Sequence, residues 1–324
     1  MKPVNDTQTM PKDWDKSLHQ LGGSIVQSAV WSEFQQRLGR QVVWKQGSGW
    51  QWLGVVRRSK GLNYLMCSYG PAAKDAVTMR AAVASMQQEA QQLNLDFIRL
   101  EPQRFATTAS MQKLGAVKIS ESSPTHTQVL DLRLSEDKLR SNLASGHRNL
   151  INGTERRGIT ITESTNQETL NLFTQMLNDT AHRSDVVFYP ASYYQTLLSA
   201  MPDNIHLYRA DVYGDPVAAA LFYDWQGVRY YAHAGAFQQK NRQAKASVSL
   251  VWQAIMDAKD GGLQTFDLWG TAPIGEDSHP LAGITRFKQA FGGQPVDYVG
   301  TWDLPLKKQK YRLYTMYRRL RGRG

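Results

Sequence analysis

The chain contains a single cysteine, Cys67, in 324 residues. That excludes a disulfide framework and any cysteine-built zinc or iron–sulfur cluster. The thiol lies in Tyr64-Leu65-Met66-Cys67-Ser68-Tyr69, which reads as a strand and predicts a buried, inert sulfur. Long apolar runs are also missing. Stretches such as 217–223 fall far short of the about 20 residues that span a bilayer. Residues 1–16 are polar and lack the apolar core of a signal peptide. The seven histidines offer no His-x-His or His-x-x-x-His spacing, so no metal site is expected. No Gly-x-Ser-x-Gly nucleophile elbow is present. These absences predict a soluble protein of a reducing compartment.

What is present is a body rich enough in apolar groups to fold. Hydrophobic residues make up 41%, with nine Trp, fourteen Tyr and ten Phe, which excludes wholesale disorder. At roughly 150 residues per domain, the length predicts two domains. The formal charge of +10 is not spread evenly. Residues 304–324 contain eight Lys and Arg and no acid, and the remainder has 30 basic against 28 acidic residues. In that tail Leu306, Leu313, Tyr317 and Leu320 recur at helical spacing among basic residues. Such a helix can pack its stripe on the body, meet an anionic membrane surface, or meet RNA phosphates.

One pattern is written twice. Segments 42–45, 50–57 and 63–69 read as an antiparallel meander, followed by a helix over 79–93 and a strand over 96–102 closed by Pro102. Segments 206–212, 217–223 and 228–233 repeat the meander, with a helix over 246–259 and a strand over 265–270. From Phe97 to Phe266 the offset is about 169 residues, a duplication at domain scale. Further helices are predicted over 167–182, 191–201 and 135–157. The class is α+β, or mixed α/β. The expected division is 1–134 and 135–304, with 305–324 packing back on the first part.

Specific strings follow in order. Val26-Gln27-Ser28 and Phe97-Ile98-Arg99-Leu100-Glu101-Pro102 belong to the first copy. Thr180-Ala181-His182-Arg183, Tyr193, Tyr230-Tyr231-Ala232-His233, Phe266-Asp267-Leu268-Trp269-Gly270, Phe287-Lys288 and Phe291-Gly292-Gly293 belong to the second. Taken together over about residues 24–304, they resemble the Fem-type (FemABX) aminoacyltransferases, which build peptidoglycan interpeptide bridges. The resemblance implies two tandem GNAT-like domains, each a mostly antiparallel sheet flanked by helices. It implies transfer of an amino acid from aminoacyl-tRNA to a stem-peptide amine, with no cofactor beyond that co-substrate. The precursor would be lipid II or UDP-MurNAc-pentapeptide. The long helical arm of the staphylococcal members has no counterpart here.

The same resemblance assigns the candidate site. Lys288 matches the Phe-Lys motif and would present positive charge to an ester carbonyl or a phosphate; otherwise it is a surface lysine beside a core Phe. Glu101 matches a strand-end carboxylate that would take a proton, or it caps a turn. His233 stands where relatives often carry Tyr, as an acid/base near neutral pH or a structural strand residue. Arg183 would hold a phosphate or carboxylate along the precursor site, Tyr193 would line that site or pack in the core, and Asp267 reads mainly as a strand-end residue bonding the backbone. Where other members grip a pyrophosphate with Lys and Arg, this chain has Gln35 and Tyr189, with Arg37 two residues beyond Gln35. Gly146 likewise replaces a lysine ahead of Arg148. These departures favour a lipid-linked acceptor over a nucleotide-linked one.

Two other classes compete. Acyl-CoA-dependent GNAT enzymes hold the CoA pyrophosphate in a glycine-bearing loop. The equivalent stretch, Arg242-Gln243-Ala244-Lys245-Ala246, has no glycine. An RNA-binding module without catalysis would draw on His147-Arg148, Arg156-Arg157 and the tail. The expectation is a monomeric cytoplasmic enzyme, peripheral at the inner membrane face through its C-terminal helix.

Overall fold

The computed structural model describes residues 9–59, 61–182, 187–276 and 278–320, and the chain divides into two compact units, 1–123 with 298–324 and 124–297. In the first unit Val42–Gly47, Trp50–Ser59 and Leu62–Cys67 form an antiparallel meander. The central strand is apolar on both faces because both are covered. Trp52 and Val56 join one core cluster, and Leu53 and Val55 join another around Trp14. Helix Ala76–Gln92 starts where the Asp75 carboxylate accepts from the amides of Val77 (3.0 Å) and Thr78 (2.8 Å). It turns Met79, Ala82, Val83, Met86 and Ala90 inward, a 3.6-residue stripe. Strand Phe97–Leu100 then runs parallel to Leu62–Cys67.

The second unit repeats this order. Ile205–Val212, Asp215–Trp225 and Val228–Ala236 form the meander, joined by two-residue turns at Tyr213-Gly214 (φ 49° and 87°) and Gln226-Gly227 (φ 48° and 81°). Positive φ at both central residues gives a turn whose twist matches the strands. Helix Ala246–Asp260 follows, and strand Thr265–Asp267 runs parallel to Val228–Ala236. Helix Gln167–Ala181 packs so closely on this sheet that a Cβ at Gly235 would lie 2.5 Å from the Met176 carbonyl carbon. The fold class is therefore α+β, with two mostly antiparallel sheets each flanked by helices, as the duplicated pattern predicts.

The last strands of the two copies are exchanged. His126–Asp131 follows the first copy in the chain, yet it lies between Thr265–Asp267 and Gln294–Asp297 in the second sheet. Trp302–Pro305 follows the second copy, yet it lies between Phe97–Leu100 and Val117–Lys118 in the first sheet. The expected divisions at 134 and 304 accordingly shift to 123/124 and 297/298, because sheet pairing decides membership.

Two local expectations also change. The helix expected over 135–157 is broken into Glu136–Asn142, Ser145–Asn152 and a 3-10 turn at Glu155–Arg157. Leu143 and Ala144 take extended backbone there, and the Ala144 amide donates to the Ala290 carbonyl. The C-terminal helix spans Lys308–Leu320, but its inward residues are Tyr311 and Tyr314, both against Phe97. Leu313 and Tyr317 of the expected inward stripe are exposed, and the side chain of Leu320 lies outside the described residues.

Candidate functional site

The site residues of the second unit cluster at the end of its parallel strand pair. Thr265–Asp267 pairs with Val228–Tyr230 and then stops, so 231–236 continues without that neighbour. A pocket of about 360 Å³ opens there, lined by Tyr231, Ala234, Gly235 and Ala236 together with Gly283, Ile284 and Phe287 of helix Ala282–Gln289. Asn241, Ser247 and Thr180 supply its polar lining.

Lys288 lies on the same helix and is buried. Its Nζ donates to the carbonyl oxygens of Trp269 and Gly270, the latter at 2.8 Å, and stands 5.5 Å from the centroid of the Tyr231 ring. The two carbonyls converge because Trp269 and Gly270 both adopt positive φ, 49° and 44°, directly after the strand. Burial pulls the Lys288 pKa down to about 7, against the opposing pull of the Asp267 carboxylate. Asp267 is buried as well. It accepts from Thr127 Oγ1 and from the Trp269 amide (2.9 Å), while burial raises its pKa. This is the strand-end backbone bonding expected for Asp267, with an electrostatic link to Lys288 added.

An aromatic run continues from this point. Trp269 meets Tyr230 and Tyr223, and His233 stands edge-on to Tyr223, Tyr194 and Tyr189 at centroid distances of 6.5, 5.5 and 6.2 Å. Tyr189 and Tyr193 stack at 3.9 Å. Tyr193 is buried, whereas Tyr189 is about half exposed. Burial pushes the His233 pKa to about 4, so the ring is neutral near pH 7 and the expected near-neutral titration is corrected. Arg183 lies outside the described residues.

The remaining candidates belong to the first unit. Glu101 is buried, and its Oε1 accepts from the Ser123 amide (3.0 Å) and Thr301 Oγ1 (2.9 Å). Burial raises its pKa, and these bonds oppose the rise. Gln35 is buried and accepts from Arg40 Nη1 at 2.6 Å, and Arg37 pairs with Glu33 at 2.5 Å on the surface. Gln27 is a structural hub: its amide bonds both backbone groups of Leu53 and the carbonyl of Ser68. The sequence reading missed Tyr231, Tyr194, Thr127 and Trp269 as site partners. The Tyr-Tyr-Ala-His and Phe-Asp-Leu-Trp-Gly strings held Tyr231 and Trp269, while Tyr194 and Thr127 lie in neither.

One arginine of each basic pair is spent internally. Arg148 donates to the carbonyls of Arg140, Ser141 and Leu143, and Arg157 to those of Leu150, Gly153 and Ala244. They cap helix ends, which takes Arg148 and Arg157 from the RNA-module reading, while Arg156 is exposed.

The FemAB family model matches residues 106–215 and 213–319. The chain belongs to the FemAB family. Its FemAB matches overlap both sheets and contain the helix that bears Lys288. Aminoacyltransferase FemA of Staphylococcus aureus is 26% identical over 109 residues, which is 33% of this chain and 26% of FemA. The chain thus spans about a quarter of the length of the curated relatives it matches. In fold it is similar to the crystal structure of FemX, with TM-score 0.80 and 13% identity over 94% of this chain and 98% of that one. It is similar also to L-PGS from Bacillus licheniformis (TM-score 0.60, 14% identity, 97% of both chains). A tandem GNAT protein from the clavulanic acid biosynthesis pathway matches with TM-score 0.57 and 12% identity, over 90% of this chain and 95% of that one. The shared fold is the tandem GNAT-like pair. Among the described residues no helix is long and apolar enough to cross a membrane.

Proposed function

We propose that this FemAB protein transfers an amino acid from aminoacyl-tRNA to the stem-peptide amine of a peptidoglycan precursor. The observation that carries the reading is Lys288, a buried amine beside the pocket of the second unit with its pKa drawn to about 7. The tRNA ester is already activated, so no enzyme nucleophile is needed. The acceptor nitrogen attacks the ester carbonyl, an N–C bond forms, the C–O bond to the ribose breaks, and the amine proton ends on the ribose oxygen. Charged Lys288 stabilises the oxyanion that develops on the carbonyl. Tyr189, Tyr193 and His233 line the acceptor path, and Asp267 holds the Lys288 site.

Acyl-CoA is the less suitable donor. At the start of helix Ala246–Asp260 the Ser247 amide already binds Asn241 Oδ1 (3.2 Å), and the residue before the helix, Lys245, takes left-handed φ of 54° without being glycine. A pyrophosphate would need those bare amides. Gln35 and Arg37 are engaged by Arg40 and Glu33, which supports a lipid-linked acceptor over a nucleotide-linked one. A donor charged on tRNA places the reaction in the cytoplasm. The test is incubation with mixed charged tRNAs and lipid II, read by mass spectrometry. A mass gain of an amino acid, abolished by ribonuclease, is expected. Product that survives ribonuclease, or forms only with acetyl-CoA, overturns the reading.

A further inference from the structure

The helix Lys308–Leu320 has two faces of different chemistry. Its inward face is moored to the first sheet. Tyr311 donates to Asp303 Oδ2 at 2.9 Å and meets Phe97 edge-on at 5.3 Å. Tyr314 stacks on Phe97 at 5.9 Å, and the Arg318 guanidinium lies 5.8 Å from the Tyr314 ring centroid. Just before and inside the helix, Lys307 and Lys310 both reach the buried Asp96, at 3.2 and 2.8 Å. These contacts fix which way the helix is turned.

The opposite face is apolar in the middle and basic at its sides. Leu313, Met316 and Tyr317 fall at i, i+3 and i+4 and are 68%, 59% and 52% exposed. Lys308 and Arg312 flank them and are exposed too. The sequence onward adds Arg319, Arg321 and Arg323, and residues 304–324 hold no acid. Leu and Met gain nothing from a phosphodiester backbone, so this face is not built for RNA. A second copy docked across a two-fold axis would set Lys308 and Arg312 beside their own counterparts, with no carboxylate in the segment to answer them. An anionic lipid surface satisfies every part at once. Aliphatic side chains enter the acyl boundary, Tyr sits at headgroup level, and basic groups meet lipid phosphates.

We propose that the face formed by Leu313, Met316 and Tyr317, with Lys308 and Arg312, docks this protein on anionic phospholipid bilayers. The inference uses no feature of the transfer site and stands or falls apart from it.

The full chain is sedimented with phosphatidylglycerol–phosphatidylcholine vesicles, with phosphatidylcholine vesicles alone, and in a separate arm with competing RNA. Binding to the anionic vesicles is expected, weakened but not abolished by salt. Leu313→Glu with Met316→Glu should lower partitioning at least about tenfold. Arg312→Glu should lower it about fivefold per charge removed. Because these side chains are exposed, both variants should melt like the parent, and the melting curve verifies this. Equal pelleting with neutral vesicles, no pelleting, or full binding by the double variant overturns the proposal. So does a double variant that loses RNA binding while keeping vesicle binding.

Discussion

The amine of Lys288 makes two hydrogen bonds to carbonyl oxygens, and a neutral amine has just enough hydrogens for both. Protonation adds one hydrogen and one charge, and these are what an oxyanion can use. Turnover should therefore fall as pH rises through about 7, the value to which burial draws this group. Asp267→Asn removes the carboxylate that opposes this depression, so the alkaline limb should move to lower pH. Lys288→Ala should lower kcat by about a hundredfold or more at unchanged pH, a measurement that leaves the limb undefined if Lys288 is responsible for it. Stability has its own sign. The folded pKa lies below the ordinary 10.5, so the unfolded chain binds more protons between about 7 and 10.5. Relative to Lys288→Met, the parent should gain about 1.4 kcal/mol per pH unit across that window in denaturant titrations. Lys288 was legible because Phe-Lys is a local string. The Tyr231 ring beneath it and the paired carbonyls were not, since they depend on where a parallel strand stops pairing. His233 shows the same limit: its residue type suggests near-neutral titration, and only burial reveals that it stays neutral.

Among the elements, the C-terminal helix depends most on a single acid. Asp96 is buried, and although burial alone would raise its pKa, bonds from Lys310, the Asn63 amide and Lys307 hold it low. A depressed carboxyl contributes stability above its unfolded pKa and loses it as pH falls through the folded value. Asp96→Asn should destabilise the protein by about 1–3 kcal/mol at pH 7, because it leaves two half-exposed lysines without their acceptor. In denaturant melts the gap from the parent should close as the pH is taken below the carboxylate range. The meanders and main helices could be read directly, since alternation and 3.6-residue periodicity are properties of short windows. The break at Leu143 and Ala144 could not. Both residues suit a helix, and the bond from Ala144 to Ala290 that draws them out comes from a segment far along the chain. The tail misled for a related reason: Tyr311 and Tyr314 face in because Phe97 is there to receive them, which no count of leucines shows.

At the scale of the whole molecule the exchanged strands matter most. Sequence could show that the pattern occurs twice, but pairing across 204 residues, as between Arg99 and Asp303, leaves no local trace. That pair is bidentate, at 2.7 and 2.9 Å, with Asp303 fully buried. A fragment ending at 134 would therefore leave Arg99 without its acceptor and Phe97–Leu100 without its antiparallel neighbour. It should be poorly soluble and lack a cooperative thermal transition. Residues 9–123 joined by a short flexible linker to 298–320 restore the strand and should melt cooperatively, as calorimetry or circular dichroism can verify. Glu101 stands where both crossings are made, bonding Ser123 on the way out and Thr301 on the way back. This arrangement is the connectivity of a strand-swapped homodimer whose two subunits have been fused head to tail in one reading frame. A protease that cut between the repeats would not release two domains. It would leave two pieces, each carrying a strand that belongs to the other's sheet.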